Sequence, residues 1–143
     1  MNRPLISLGC ALLLLATGCF MGDPGTAKIV SLTLPAREGQ SKVSLSVDDA
    51  EVQEALKVID TVLVSYGLSR VPMSQVPGPD GSIAHYQGAP RGCSVSLSGS
   101  TLFIVFSEFG RRSPTESVKR ISSSLAEQLR KTYGTERVRV ATH

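Results

Sequence analysis

At 143 residues the chain is long enough for one ordinary domain and too short for two. Hydrophobic residues make up 41% and charged residues 19%, with no tryptophan, a globular composition that excludes a disordered tail. The net charge of +3 is modest and excludes the strongly basic character expected of a nucleic-acid-binding domain.

The first predicted element is a leader. Arg3 supplies a cation, Leu5 to Ala16 is apolar, and small residues follow, which is the layout of a secretory signal peptide. Ala16-Thr17-Gly18-Cys19 resembles the lipobox of bacterial lipoproteins, although Ala16 stands where that class more often carries leucine or valine. The resemblance covers only the first nineteen residues. It implies that residues 1–18 are removed and that Cys19 becomes an acylated first residue. A membrane-spanning helix is the competing reading, and Thr17, Gly18, Gly22, Asp23, Pro24 and Gly25 argue against it. Because Phe20 rather than aspartate follows the cysteine, the resemblance also implies the outer membrane of a diderm envelope, facing the periplasm. The multiple acyl chains of the class hold a protein at the bilayer far more firmly than one chain does.

Residues 19–27 are small, polar and turn-rich and read as a lipidated tether, leaving residues 28–143 as an α+β domain. With Cys10 removed and Cys19 acylated, Cys93 has no partner for an intramolecular disulfide. Its expected place is a buried position on a strand.

Within the domain, Ile29–Leu34 and Lys42–Val47 both alternate with period two and are predicted strands, the first as an edge addition. Asp48-Asp-Ala-Glu51 then offers a capping box, with Val47 and Val52 as a hydrophobic staple. Val52, Ala55, Leu56, Ile59, Val62, Leu63 and Tyr66 continue at helical spacing to a stop at Gly67. The acidic cluster Asp48, Asp49, Glu51 and Glu54 complements the helix N-terminal partial charge. Ser69 to Gly92, with four prolines and four glycines, reads as a long irregular connection holding a short strand at Ile83–Tyr86.

A hairpin follows. With Gly99-Ser100 as a two-residue turn, Leu97 faces Leu102, Val95 faces Ile104 and Cys93 faces Phe106, all on one side. Ser94, Ser96 and Ser98 lie opposite Val105, Phe103 and Thr101 on the other. Ser113-Pro-Thr-Glu116 is a second capping box, and Val118, Ile121, Leu125, Leu129 and Tyr133 form an apolar stripe ending at Gly134. Glu136–Ala141 is the last predicted strand, with Val138 and Val140 facing the core.

From Lys42 the order is strand, helix, strand, strand, helix, strand. That pattern predicts a ferredoxin-like βαββαβ arrangement, an antiparallel sheet with both helices on one face. Val-Ser-Leu recurs at Val30, Val43 and Val95, a faint trace of a ββα duplication.

No HExxH, GxSxG, P-loop, CxxC or dinucleotide fingerprint occurs, so no cofactor is expected. Only His85 and His143 are available, which argues against a histidine-based metal site. A Cys93/His85 nucleophile pair requires that the fold bring the two together. The expected binding surface is the uncovered sheet face, carrying Ser44, Ser46, Ser94, Ser96, Phe103, Val105, Arg137 and Arg139. Among these, Phe103, Val105, Arg137 and Arg139 suit a protein partner or an anionic envelope component. Charge is unevenly divided, with four bases against seven acids from Cys19 to Asp60 and ten bases against five acids from Thr61 onward. The expected function is that of a lipid-anchored accessory or adaptor protein acting by binding and not as an enzyme. The alternative is a periplasmic inhibitor or immunity-type protein using the Pro/Gly-rich loop, and a small enzyme ranks third.

Overall fold

The computed structural model describes residues 27–35, 44–72 and 82–142. The expected leader, Cys19, the expected tether before Ala27, and Lys42 and Val43 of the second predicted strand lie outside them. Among the described residues, six strands form one open antiparallel sheet with two helices: β1 (Lys28–Thr33), α1 (Ala50–Ser65), β2 (Ser69–Val71), β3 (Ser82–Gly88), β4 (Arg91–Ser98), β5 (Thr101–Glu108), α2 (Glu116–Tyr133) and β6 (Val138–Thr142). The spatial order is β2-β3-β4-β5-β1-β6.

The β4–β5 hairpin has the register its sequence dictates: Cys93 pairs with Phe106, Val95 with Ile104 and Leu97 with Leu102. Gly99 takes φ +61°, the left-handed position that a two-residue hairpin turn demands of its first residue. Alternation then sorts the sheet into two faces. Val30, Leu32, Ala84, Tyr86, Cys93, Val95, Leu102, Ile104, Phe106 and Val138 point to one face and are buried. Against them pack Val52, Ala55, Leu56, Ile59 and Leu63 of α1 and Val118, Ile121, Leu125, Ala126 and Leu129 of α2.

The sheet departs from the four-stranded expectation and is not clearly ferredoxin-like. β1 is not an edge addition; it lies inside the sheet, hydrogen-bonded to β5 on one side and β6 on the other. Ser44–Ser46 form no strand, and only Leu45 of that run is buried. The physical reason lies in the hairpin turn: the Leu34 amide donates to the Ser100 carbonyl (2.8 Å) and the Leu45 amide to the Gly99 carbonyl (2.9 Å). Period-two alternation in 44–47 thus records one anchored leucine and not a ladder. Of the irregular connection expected over 69–92, the described residues are largely sheet, since β2 and β3 extend the sheet beyond β4; residues 73–81 lie outside the described residues. Its two described prolines are Pro72, just past β2, and Pro90, in the β3–β4 turn.

Both helix starts fall later than their capping boxes suggest. Asp49, not Asp48, is the α1 cap residue, and its carboxylate turns back to accept from the Ser46 amide at 2.8 Å. Gln53 reaches back to the Val47 carbonyl instead, and Val47 is too exposed to serve as a staple. At the other end the Gly67 amide donates to Val64 and the Leu68 amide to Leu63, a Schellman closure in which buried Leu68 supplies the apolar contact. For α2 the cap is Thr115, whose hydroxyl oxygen accepts from the Val118 amide at 3.3 Å; Ser113 and Pro114 precede the helix. The same hydroxyl donates to the Glu108 carboxylate, so a single threonine joins β5 to α2.

The last strand begins at Val138, two residues later than its alternation suggests, because Thr135–Arg137 forms a 3-10 turn after Gly134 (φ +101°). Val140 sits on the helix-side face as expected but is 38% exposed, since β6 is an edge strand. Arg91 ties the two helices at one end of the sheet, donating to the Ser117 hydroxyl (3.0 Å) and to the Tyr66 carbonyl at the C-terminus of α1 (3.2 Å).

Gly88 at the end of β3 marks the tightest backbone approach. A Cβ there would lie 2.4 Å from the Gly67 carbonyl oxygen, a backbone atom that cannot rotate away. Gly88→Ala is therefore expected to destabilise the protein by about 1–3 kcal/mol. Urea unfolding measures this, and an unchanged midpoint would mean that the β3–β4 turn does not press on the end of α1.

Candidate functional site

With α1 and α2 on one side, the other side of the sheet is left uncovered by the described elements. Its rows follow from the strand registers. One runs Arg139, Ser31, Phe103, Ser96 across β6, β1, β5 and β4. The next runs Ala141, Ile29, Val105, Ser94, His85 and continues into Val71 of β2.

A shallow groove of about 620 Å³ lies on this face. Phe103, Ser31, Thr33 and Thr101 form its floor, and Glu136, Arg137 and Arg139 border it. Phe103 is 38% exposed, a large value for an aromatic ring within a sheet. Three of the four residues singled out from sequence thus share one concavity. Val105 lies on the same face one row away, half-buried between Ile29 and Ser94. Arg137 reaches the groove from the 3-10 turn and not from a strand; its guanidinium approaches the Thr33 carbonyl (3.5 Å) and the Glu136 carboxylate (3.9 Å). Ser44 and Ser46, expected on this face, are outside the sheet.

Sequence reading missed Ser31, Thr33 and Glu136 as lining residues. The first two lie on β1, which alternation alone could not place beside β5. Glu136 had a local signal in the Gly-Thr-Glu-Arg sequence, since a glycine followed by polar residues interrupts a strand as readily as it precedes one.

The chemistry available here is recognition. Two guanidiniums beside an exposed ring provide charge-assisted donors for carboxylate or phosphate oxygens together with apolar and cation-π contact. The exposed Glu136–Arg137 pair contributes little to stability, so Arg137 can exchange it for an anionic ligand at small cost.

Sheet parity separates the one candidate nucleophile from its candidate base. Tyr86 pairs with Cys93 and His85 with Ser94, so Cys93 points into the helix-covered core while His85 points to the open face. Burial pushes the Cys93 thiol well above its ordinary range, which keeps it protonated and unreactive at neutral pH. His85 Nε2 is buried and has no hydrogen-bond partner among the described residues. No group of three or more His, Cys, Asp or Glu side chains among the described residues is arranged to hold a metal ion. No described helix is long and apolar enough to cross a membrane.

A second concavity of about 440 Å³ lies between α1 and α2, bordered by Val58, Thr61, Val62, Ser124 and Gln128. Its two charges already meet as the Glu127–Lys131 pair at 3.1 Å, which leaves less for a ligand than the arginines of the open face. No protein-family model matches the chain, and no curated protein or solved structure matches it either.

Proposed function

We propose that this is a lipid-anchored envelope protein, held at the membrane through Cys19, that acts by binding a protein or other anionic envelope component on its open sheet face. The observation that supports this reading is the convergence of Phe103, Arg137 and Arg139 on one groove opposite the helices. An exposed ring flanked by unburied guanidiniums is the composition of an interface centre more than of a solvated sheet. The groove offers hydrogen-bond donors and apolar area side by side, the means by which a surface binds a partner.

Photo-crosslinking in cells tests the reading. A crosslinking residue at Phe103 should give a discrete adduct, and Arg137→Glu with Arg139→Glu should reduce it by about tenfold or more, the effect of losing roughly 1.4 kcal/mol or more of charge-assisted contact. A crosslinker at exposed Lys57 on α1 should give no such adduct. Equal adducts at both positions, or none at Phe103, would remove the open face as the working surface. Membrane fractionation of Cys19→Ala tests the anchor separately.

A further inference from the structure

Lys28 at the start of β1 pairs with Phe106 near the end of β5 and with Thr142 at the end of β6. The point where the domain joins its N-terminal segment therefore lies at the same end as the turn that follows β5, Phe109-Gly110-Arg111-Arg112. In that turn Phe109 is 88% exposed, the most exposed large apolar side chain among the described residues.

The turn is well fixed. The Phe109 amide donates to the Pro90 carbonyl at 2.8 Å, the Arg111 amide to the Glu108 carbonyl at 3.2 Å, and Gly110 takes φ +75°. The ring is thus held away from the body instead of folding back onto it. Arg111 and Arg112 are exposed and, among the described residues, have no acidic partner. The Lys28 ammonium donates to the Thr142 hydroxyl and, among the described residues, has no acidic partner. The carboxylates nearest in sequence are engaged, Glu108 by the Thr115 hydroxyl and Glu116 by Lys119. At the opposite end, beside the Gly99-Ser100 turn to which Leu45 is bonded, exposed Asp48 and half-buried Asp49 stand with Arg137, so both signs of charge are present there.

We propose that the Phe109–Arg112 turn docks on an anionic bilayer surface, with the Phe109 ring at the headgroup level and Arg111 and Arg112 on lipid phosphates. This rests on the lipid-anchor reading, because nine residues from Cys19 to Lys28 span no more than about 30 Å and bring this end of the sheet within reach of the membrane. Aromatic rings settle at the membrane interface, and each basic residue near an anionic surface strengthens association by about fivefold. Docking would turn the long axis of the strands away from the bilayer and leave the Phe103 groove accessible from the side.

The protein has no tryptophan, so Phe109→Trp in the full chain supplies a single fluorescent reporter at the predicted contact. The full-length protein, purified from membranes, is inserted into vesicles of phosphatidylethanolamine with phosphatidylglycerol, or of phosphatidylcholine alone. In the anionic vesicles the indole emission should move to shorter wavelength and acrylamide quenching should fall by about threefold relative to a chain also carrying Arg111→Glu and Arg112→Glu. The protection should be smaller in phosphatidylcholine and should fade at about 1 M salt, where screening is nearly complete beyond 3 Å. Flotation at that salt reads the anchor alone. A chain that floats while its indole stays equally quenched with and without the arginines overturns the docking and leaves the anchor standing; a chain that does not float overturns the anchor and the docking with it.

Discussion

Replacing Phe106 by alanine should destabilise the protein by about 3–5 kcal/mol. The ring is 1% exposed, on the helix-side face of β5, level with Cys93 on β4 and Lys28 on β1. Its removal leaves a cavity that three hydrogen-bonded strands cannot close, because their backbones are fixed by their own ladders. A domain of this size has only about 5–15 kcal/mol of net stability, so the variant is expected near its unfolding threshold. Phe103→Ala is the matching control. It lies three residues away on the same strand but faces the open side, and its loss should cost no more than about 1 kcal/mol. Urea unfolding of the pair decides between the faces: equal losses would mean that the assignment of core and open surface is wrong.

Stability should also fall steeply in alkali, through two buried acids. Cys93 is raised by burial, and Tyr86 is raised first by burial and then by its hydrogen bond to the Asp60 carboxylate, which is itself paired with Arg70 at 3.6 Å. Both groups stay protonated in the folded chain at a pH where the unfolded chain releases them, near 8.5 for the thiol and 10 for the phenol. The unfolded state then binds fewer protons than the native state, so the free energy of unfolding decreases as pH rises. The stabilisation is complete below about pH 8.5, and each group contributes a loss of up to about 1.4 kcal/mol per pH unit above its unfolded value. By pH 11 the thiol alone should remove about 3 kcal/mol. Cys93→Val should flatten the decline between about pH 8.5 and 10 and leave the Tyr86 contribution above it. An unchanged slope in that variant would show that the thiol is solvated in the folded protein.

These expectations rest on features of unequal legibility. The β4–β5 hairpin was readable residue by residue, because a glycine at the turn and strict alternation on both sides admit only one register that puts every large apolar side chain on one face. The apolar stripes of α1 and α2 were equally plain, since helical spacing is a local property, as was the burial of Cys93. Phe103, Arg137 and Arg139 were legible as surface residues for the same reason: each lies out of phase with the core positions of its own segment.

The exact helix starts were not legible, because several hydroxyl and carboxylate side chains compete within two residues of each cap. Thr115 caps the helix in place of Ser113, and its hydroxyl also donates to Glu108 on a strand, a partner no local pattern announces. The place of β1 is a tertiary outcome altogether. Its alternation makes it a strand, but whether it lies at an edge or between β5 and β6 depends on which neighbours satisfy its two rows of backbone groups. Ser44–Ser46 alternates as well and is excluded from the ladder because the hairpin turn takes the Leu45 amide.

The amino-acid sequence by itself thus determined which segments could be helix or strand, which side chains had to be buried, and that a lipobox-like run precedes the domain. Only the tertiary structure decided which strands are neighbours, and with that the groove joining β1, β5 and β6 and the sharing of one end by the chain entry and the Phe109 turn. The physical reason is the range of the forces involved. Periodicity and capping act within a few residues, whereas strand pairing is chosen by hydrogen bonds and burial between segments more than a hundred residues apart, as between Lys28 and Thr142.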